Sequence, residues 1–282
     1  MPDPFHRFVE RSRGRPVVVG VLNVTPDSFS DGGRHLAPEA ALARAREMVA
    51  EGADLVEVGG ESTAPGSRPV GAAEEWRRIG PVVEALAGEL PLVIDTYRAE
   101  TARRALAAGA LAINDVSALR ADPAMAETVA AAGGGLVLMY AKDAPLPHVT
   151  DRDVRYRDVV AEIADFLGAR AALATAAGVA AEAIVLDPGW GAFVAHDQTF
   201  TFELLRRFDE FARRIAPFPA MVAVSRKGFL GGERHRRDPL SQLAALHAVE
   251  RGARFIRTHD PRMMREFLEL ARRLGRPVPV AA

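Results

Sequence analysis

The chain has 282 residues, 49% hydrophobic and 26% charged, an ordinary globular composition with apolar material for a large core. Its 36 Lys and Arg against 37 Asp and Glu leave a net charge of −1, so no global field draws nucleic acid or an anionic membrane, and any anion site must be local. The absence of cysteine excludes disulfides and thiolate zinc sites, and with no bilayer-length apolar stretch and no signal-peptide core a soluble cytoplasmic protein is expected.

Residues 1–15 read as an N-terminal extension. Short apolar runs then alternate with amphipathic stretches rich in Ala, Arg and Glu. The strand candidates are "VVVGVL" (17–22), "DLVEV" (54–58), "LVID" (92–95), "LAIN" (111–114), "GLVLM" (135–139), "AIVLD" (183–187), "MVAVS" (221–225) and "FIRT" (255–258). Helical spacing predicts helices near 38–51, 74–88, 99–108, 122–132, 156–177, 201–215, 239–251 and 262–274. Gly52, Gly109, Gly133, Gly178 and Gly252 follow five of them, where a helix C-cap is expected. The tail is 275–282.

Eight strands and eight helices in alternation, the strands continuously apolar, predict a parallel (β/α)8 TIM barrel in a single domain over 1–282. A doubly wound open sheet is the competitor, but no GxGxxG follows the first strand.

Polar residues gather at the C-terminal strand ends, which converge on one mouth in a barrel. They are Asn23, Asp95, Asn114 with Asp115, Asp187, the run Ser225, Arg226 and Lys227, and Arg257 with His259. Asp115 or Ser225 alone fits a helix N-cap. Asp95, Asn114 and Asp187 sit at or inside the last apolar strand residue, one step too early for a cap. Buried carboxylates there need a partner with donors, such as a flat heterocycle bearing an amino group and a ring N–H. Lys227, Arg257 and His259 supply positive charge suited to phosphate. The remaining histidines show no metal-ligand spacing, and "RHRR" at 234–237 fits a solvated loop.

The motifs "LNVTPDSFSDGG", "GGEST-PG", "IDTY", "IND", "LDPG", "SRKGF" and "R-HD" appear in order between about residues 17 and 262. In this the chain resembles the dihydropteroate synthases. The resemblance implies a transferase of folate biosynthesis that joins 6-hydroxymethyl-7,8-dihydropterin diphosphate to p-aminobenzoate and releases pyrophosphate, with Mg²⁺, as a homodimer. Carried over motif by motif, it implies that Asp95, Asn114, Met139, Asp187, Lys227 and Arg257 hold the pterin. Asn23, Thr63, Arg257 and His259 would meet the diphosphate, with Asn23 also placing Mg²⁺. Phe29, Pro65, Lys227 and the backbone at Gly228 would line the p-aminobenzoate pocket. Asp95, Lys227, Arg257 and His259 are the expected catalytic group.

Three departures from the family pattern fall near phosphate and p-aminobenzoate. Ala64 stands where the family has Arg, with Arg68 a candidate substitute. "DPGWGAFVAHD" puts Ala192 and Val194 in place of Phe and Lys, so an aromatic wall would move to Phe193 or Trp190. "LMYAKDAP" brings Tyr140 and Lys142, for which plain loop roles are favoured. Two alternatives keep the pterin pocket: a methyltetrahydrofolate-using methyltransferase of the same barrel class, and a pterin-binding paralogue without turnover.

Overall fold

The structure is a computed structural model that describes residues 5–25, 37–62, 67, 69–143, 150, 152–233 and 236–279. The apolar runs form eight parallel strands: β1 (Val17–Asn23), β2 (Leu55–Gly59), β3 (Leu92–Asp95), β4 (Ala112–Asp115), β5 (Gly135–Met139), β6 (Ile184–Asp187), β7 (Ala220–Val222) and β8 (Ala253–Thr258). Each pairs with its neighbours in sequence, and β1 closes against β8 with Val19 opposite Arg257. This is the expected (β/α)8 barrel.

The helices are α1 (Phe5–Arg11), α2 (Ala37–Ala50), α3 (Ala72–Leu86), α4 (Ala99–Ala108), α5 (Met125–Ala132), α6 (Val159–Ala176), α7 (Thr199–Arg206), α8 (Phe208–Arg214), α9 (Arg237–Val249) and α10 (Pro261–Arg273). The five expected C-cap glycines all have positive φ. The single helix expected over 201–215 is two, broken at Arg207 (φ −103°, ψ 27°). The guanidinium there pairs with Asp158, Glu203 and Glu210, which fastens the break to the start of α6. The seventh strand is shorter than expected and ends at Val222.

Period-two alternation assigns the strand residues to two cores. Val18, Val56, Ile94, Ile113, Leu138, Leu186, Val222 and Ile256 face the helices. Val17, Val19, Leu55, Val93, Ala112, Val137, Val185, Met221 and Phe255 fill the barrel axis. One step further along the same inward rows come Glu57, Asp95, Asn114, Met139, Asp187 and Arg257. The barrel therefore changes from apolar to ionic at a single level.

The N-terminal extension is not a featureless lead-in. Its helix α1 closes the opposite end of the barrel, with Phe5 fully buried against Phe255 (ring centroids 6.3 Å apart). Gly135 makes room: a Cβ there would lie 2.0 Å from the Phe5 ring. Arg254 of β8 ties the helix down through Val9 O and Ser12 Oγ. Among the described residues no helix is long and apolar enough to cross a membrane.

Candidate active site

An open cavity sits at the C-terminal mouth, lined by Asp95, Asn114, Val116, Met139, Asp187, Trp190, Phe193, Ala223, Lys227 and Arg257. Its floor is ionic. Arg257 donates from Nε to Glu57 Oε1 at 2.7 Å and from Nη2 to Asp95 Oδ2 at 3.2 Å. Asn114 Nδ2 donates to Glu57 Oε2 at 3.1 Å. Burial works against the Arg257 charge, but Glu57 and Asp95 more than offset it and hold the guanidinium above its usual range. Burial and the nearby Glu57 charge push Asp95 up, against the pull of Arg257.

Asp187 ends β6 and accepts Gly189 N–H at 2.9 Å. The turn that supplies this bond requires glycine. Gly189 has φ +71°, and a Cβ on it would lie 2.2 Å from Tyr140 O. Burial raises the Asp187 carboxyl to about 6, although the Gly189 N–H, Lys227 and Arg257 pull it down.

Lys227 reaches the cavity from the loop after β7, because Arg226 takes the left-handed conformation at φ +58°. That conformation is costly for a side chain with a Cβ and must be held from outside. Arg226 forks onto Asp238 at 2.7 and 2.9 Å, and its N–H donates to Ser241 Oγ. The Lys227 Nζ lies 4.4 Å from the centroid of the Phe193 ring. Burial, then repulsion from Arg257, lower the ammonium to about 8 against the attraction of Asp187 and Asp95.

At the rim, Ser225, a cap candidate by sequence, instead meets His259. Its Oγ lies 2.9 Å from His259 Nδ1 and accepts the His259 N–H, so it fixes the imidazole. Asp115, the other cap candidate, organises its own loop by accepting the N–H groups of Ser117 and Leu119. Asn23 ends β1 opposite Gly59, partly exposed at the mouth. Gly228 begins a short 3₁₀ turn directly after Lys227.

The structure thus brings Asp95, Asn114, Met139, Asp187, Lys227 and Arg257 around one cavity. Phe29, Thr63, Ala64, Pro65 and Arg68 lie outside the described residues. Trp190 and Phe193, the two candidates for an aromatic wall, both line the cavity, and Trp190 is braced by Phe208 (centroids 6.0 Å apart). Tyr140 and Lys142 have the expected loop roles: Tyr140 Oη meets Tyr156 Oη at 2.9 Å, and Lys142 Nζ is bonded to Asp143 and Thr150 O.

Sequence reasoning missed two features. Glu57 lies inside "DLVEV" and is buried, yet it joins Arg257 to Asn114. Its signal was an inward-facing acid one strand away from Asp95. The second feature is a buried cluster beside the cavity. Tyr97 Oη donates to Glu61 Oε1 at 2.5 Å, and Arg98 spans Glu61 Oε2 and Glu75 Oε1 at 2.7 and 3.2 Å. Thr96 and Thr101 hydroxyls complete the Glu75 carboxylate.

A family model described as pterin binding enzyme matches residues 19–259. The dihydropteroate synthase of Mycobacterium leprae is 44% identical over 262 residues, which cover 87% of this chain and 88% of the relative. Among solved structures, the chain is similar to Xanthomonas albilineans dihydropteroate synthase with 4-aminobenzoic acid (TM-score 0.83, 39% identity, 93% of each chain covered). The same organism's enzyme in complex with 7,8-dihydropteroate matches with TM-score 0.81 and 37% identity, covering 93% of this chain and 94% of that one.

Proposed function

The chain belongs to the pterin-binding enzyme family, and from that premise we propose that its mouth joins 6-hydroxymethyl-7,8-dihydropterin diphosphate to p-aminobenzoate and releases pyrophosphate, the dihydropteroate synthase reaction. The observation that carries this reading is the convergence of three acceptor side chains, Asp95, Asn114 and Asp187, with two cations, Lys227 and Arg257, around one cavity.

A dihydropterin carries several N–H donors along one edge. Asp187 and Asp95 accept them at depth, and their negative charge is worth more as the ring becomes positive during loss of the leaving group. Arg257 is held flat by Glu57 and Asp95 and offers its face to the heterocycle. His259, braced by Ser225, stands at the rim where a diphosphate would emerge. An aryl amine is neutral at pH 7 and needs little general base. The demanding step is cleavage of the bond between the pterin methylene carbon and the diphosphate oxygen. The residues therefore suit a dissociative displacement: the C–O bond opens, its electron pair leaves with pyrophosphate, and the amine nitrogen then attacks the methylene and loses a proton. Phe193 and Trp190 would form the apolar side against which the second ring lies.

Asn23 is the residue that would hold Mg²⁺. Among the described residues no group of three His, Asp or Glu could hold an ion alone. A single amide oxygen at an open rim fits Mg²⁺, which takes few protein ligands and most of its shell from phosphate and water. Bound there, it would neutralise charge on the departing pyrophosphate.

The homodimer implied by the resemblance is supported by exposed apolar side chains on adjoining helices, Phe202 of α7 with Leu240 and Leu243 of α9; equilibrium sedimentation tests it. Cell fractionation tests the cytoplasmic location expected from the sequence. The decisive assay mixes the pterin diphosphate with p-aminobenzoate and follows pyrophosphate. Release by the wild type, and its loss in Lys227→Ala and Asp187→Asn, is expected. Pterin binding with no pyrophosphate release would replace this reading by the non-catalytic one.

A further inference from the structure

Glu57 does not itself line the cavity, yet it is bonded to two residues that do. It is buried in β2, on the inward row that follows Leu55. Its two oxygens are divided: Oε1 accepts Arg257 Nε at 2.7 Å, and Oε2 accepts Asn114 Nδ2 at 3.1 Å. A carboxylate paired with a guanidinium can only accept hydrogen bonds, so it can face only the NH₂ side of the Asn114 amide. The other side is thereby determined. Asn114 Oδ1 is buried, has no hydrogen-bond partner among the described residues, and belongs to a residue that lines the cavity.

We propose that Glu57 is a positioning residue that sets the hydrogen-bonding polarity of the pocket: by claiming Asn114 Nδ2, it leaves Asn114 Oδ1 to the ligand and makes the site select a heterocycle edge that presents N–H. Without this constraint an asparagine amide reads donors and acceptors almost equally well by turning over. Glu57 removes that freedom and aligns Asn114 with Asp95 and Asp187, so that these three side chains all offer oxygen to the ligand. Through Arg257 the same carboxylate also fixes the plane of the guanidinium. The inference rests on the pterin reading above and specifies which edge of the heterocycle the site demands.

The test compares wild type, Glu57→Gln and Glu57→Asp by calorimetry with three unphosphorylated ligands. These are 6-hydroxymethyl-7,8-dihydropterin, its 2-oxo counterpart, which lacks the 2-amino donor, and the fully oxidised pterin, which lacks the N8–H. Glutamine keeps the size of the side chain but brings an NH₂ of its own. With its oxygen on Arg257, that NH₂ meets an Asn114 turned over, which then presents Nδ2 to the ligand. At least one of the two preference ratios, dihydropterin over 2-oxo or over oxidised, should fall about tenfold in Glu57→Gln, the worth of one hydrogen bond made or lost. Glu57→Asp keeps both acceptors and should hold both ratios within about twofold, whatever its absolute affinity. Equal weakening of all three ligands by Glu57→Gln would reduce Glu57 to a packing residue and overturn the proposal.

Should Glu57→Gln fail to fold, side-chain amide signals of asparagine-labelled wild type decide the matter. The Asn114 NH₂ should be protected from exchange before ligand is added and shift little afterwards. An unprotected NH₂ that becomes protected only with ligand would overturn it. Wild type that binds none of the three ligands would defeat the pterin reading itself, a result distinct from unchanged ratios.

Discussion

The pH dependence of pterin binding should have an acid limb set by Asp187. Its carboxyl is raised to about 6 by burial. The sign follows directly. Below about pH 6 the group carries a proton and offers one acceptor fewer; above it, the charged carboxylate accepts ligand N–H groups. Affinity should therefore rise with pH through about 6. A hydrogen bond to a charged group contributes about 1.5–3 kcal/mol, so its loss is worth roughly 10- to 150-fold in Kd. The fall below the midpoint approaches about tenfold per pH unit until that sum is reached. The assay is calorimetric titration with 6-hydroxymethyl-7,8-dihydropterin between pH 5 and 7.5, the unphosphorylated ligand being chosen so that no phosphate titrates. Asp187→Asn should bind about 10- to 150-fold more weakly at pH 7.5 and show no limb near 6. Lys227→Met should keep the limb but move it upward, because Lys227 is one of the groups that hold Asp187 down. An acid limb that persists near pH 6 in Asp187→Asn would refute the assignment, since another group would then own the titration.

Three further substitutions probe the scaffold. Arg226→Ala removes the fork onto Asp238 while leaving a non-glycine residue at φ +58°, so the turn should relax and carry Lys227 away. A rise of about tenfold in KM for the pterin diphosphate is expected, on the scale of one charge-assisted contact, with only a modest drop in Tm. Gly189→Ala places a Cβ 2.2 Å from Tyr140 O at a left-handed φ, and chemical denaturation should register a loss of more than about 3 kcal/mol. Phe5→Ala empties the plug at the far end of the barrel and should cost about 3–5 kcal/mol in the same measurement, while the folded fraction binds the dihydropterin as wild type does.

The contrast between Phe5 and Asp187 shows what the sequence could disclose. The eight strands were legible because both faces of a barrel strand are buried, so each reads as an unbroken apolar run. Asp95, Asn114 and Asp187 were legible because they interrupt such runs at the end that faces the mouth. The plug was not. Helix α1 has seven residues, too few to display a period, and its function depends on Gly135, far away in the chain. The break at Arg207 was hidden for a similar reason. The amphipathic pattern continues across it, and the ion pairs that hold it reach back to Asp158.

Glu57 is the instructive case, since its signal was local and still went unread. Within "DLVEV" the acid looks like a tolerated polar residue near a strand end. Strand parity says otherwise. Leu55 fills the barrel axis, so Glu57, two residues on, must point the same way, as Asp95 does two residues after Val93. The pairing of β2 with β3 sets Glu57 beside Val93 and Gly59 beside Asp95, and the Glu57 side chain lies on the inward row that follows Leu55, within reach of Arg257 and Asn114. A carboxylate at that depth is tolerable only with fixed partners, and Arg257 and Asn114 are those partners. An inward acid whose two oxygens are both taken by neighbouring side chains is thus a different object from one that lines the cavity. The residue that lines the cavity meets the ligand, and the residue bonded behind it decides which atoms of its neighbours the ligand will find.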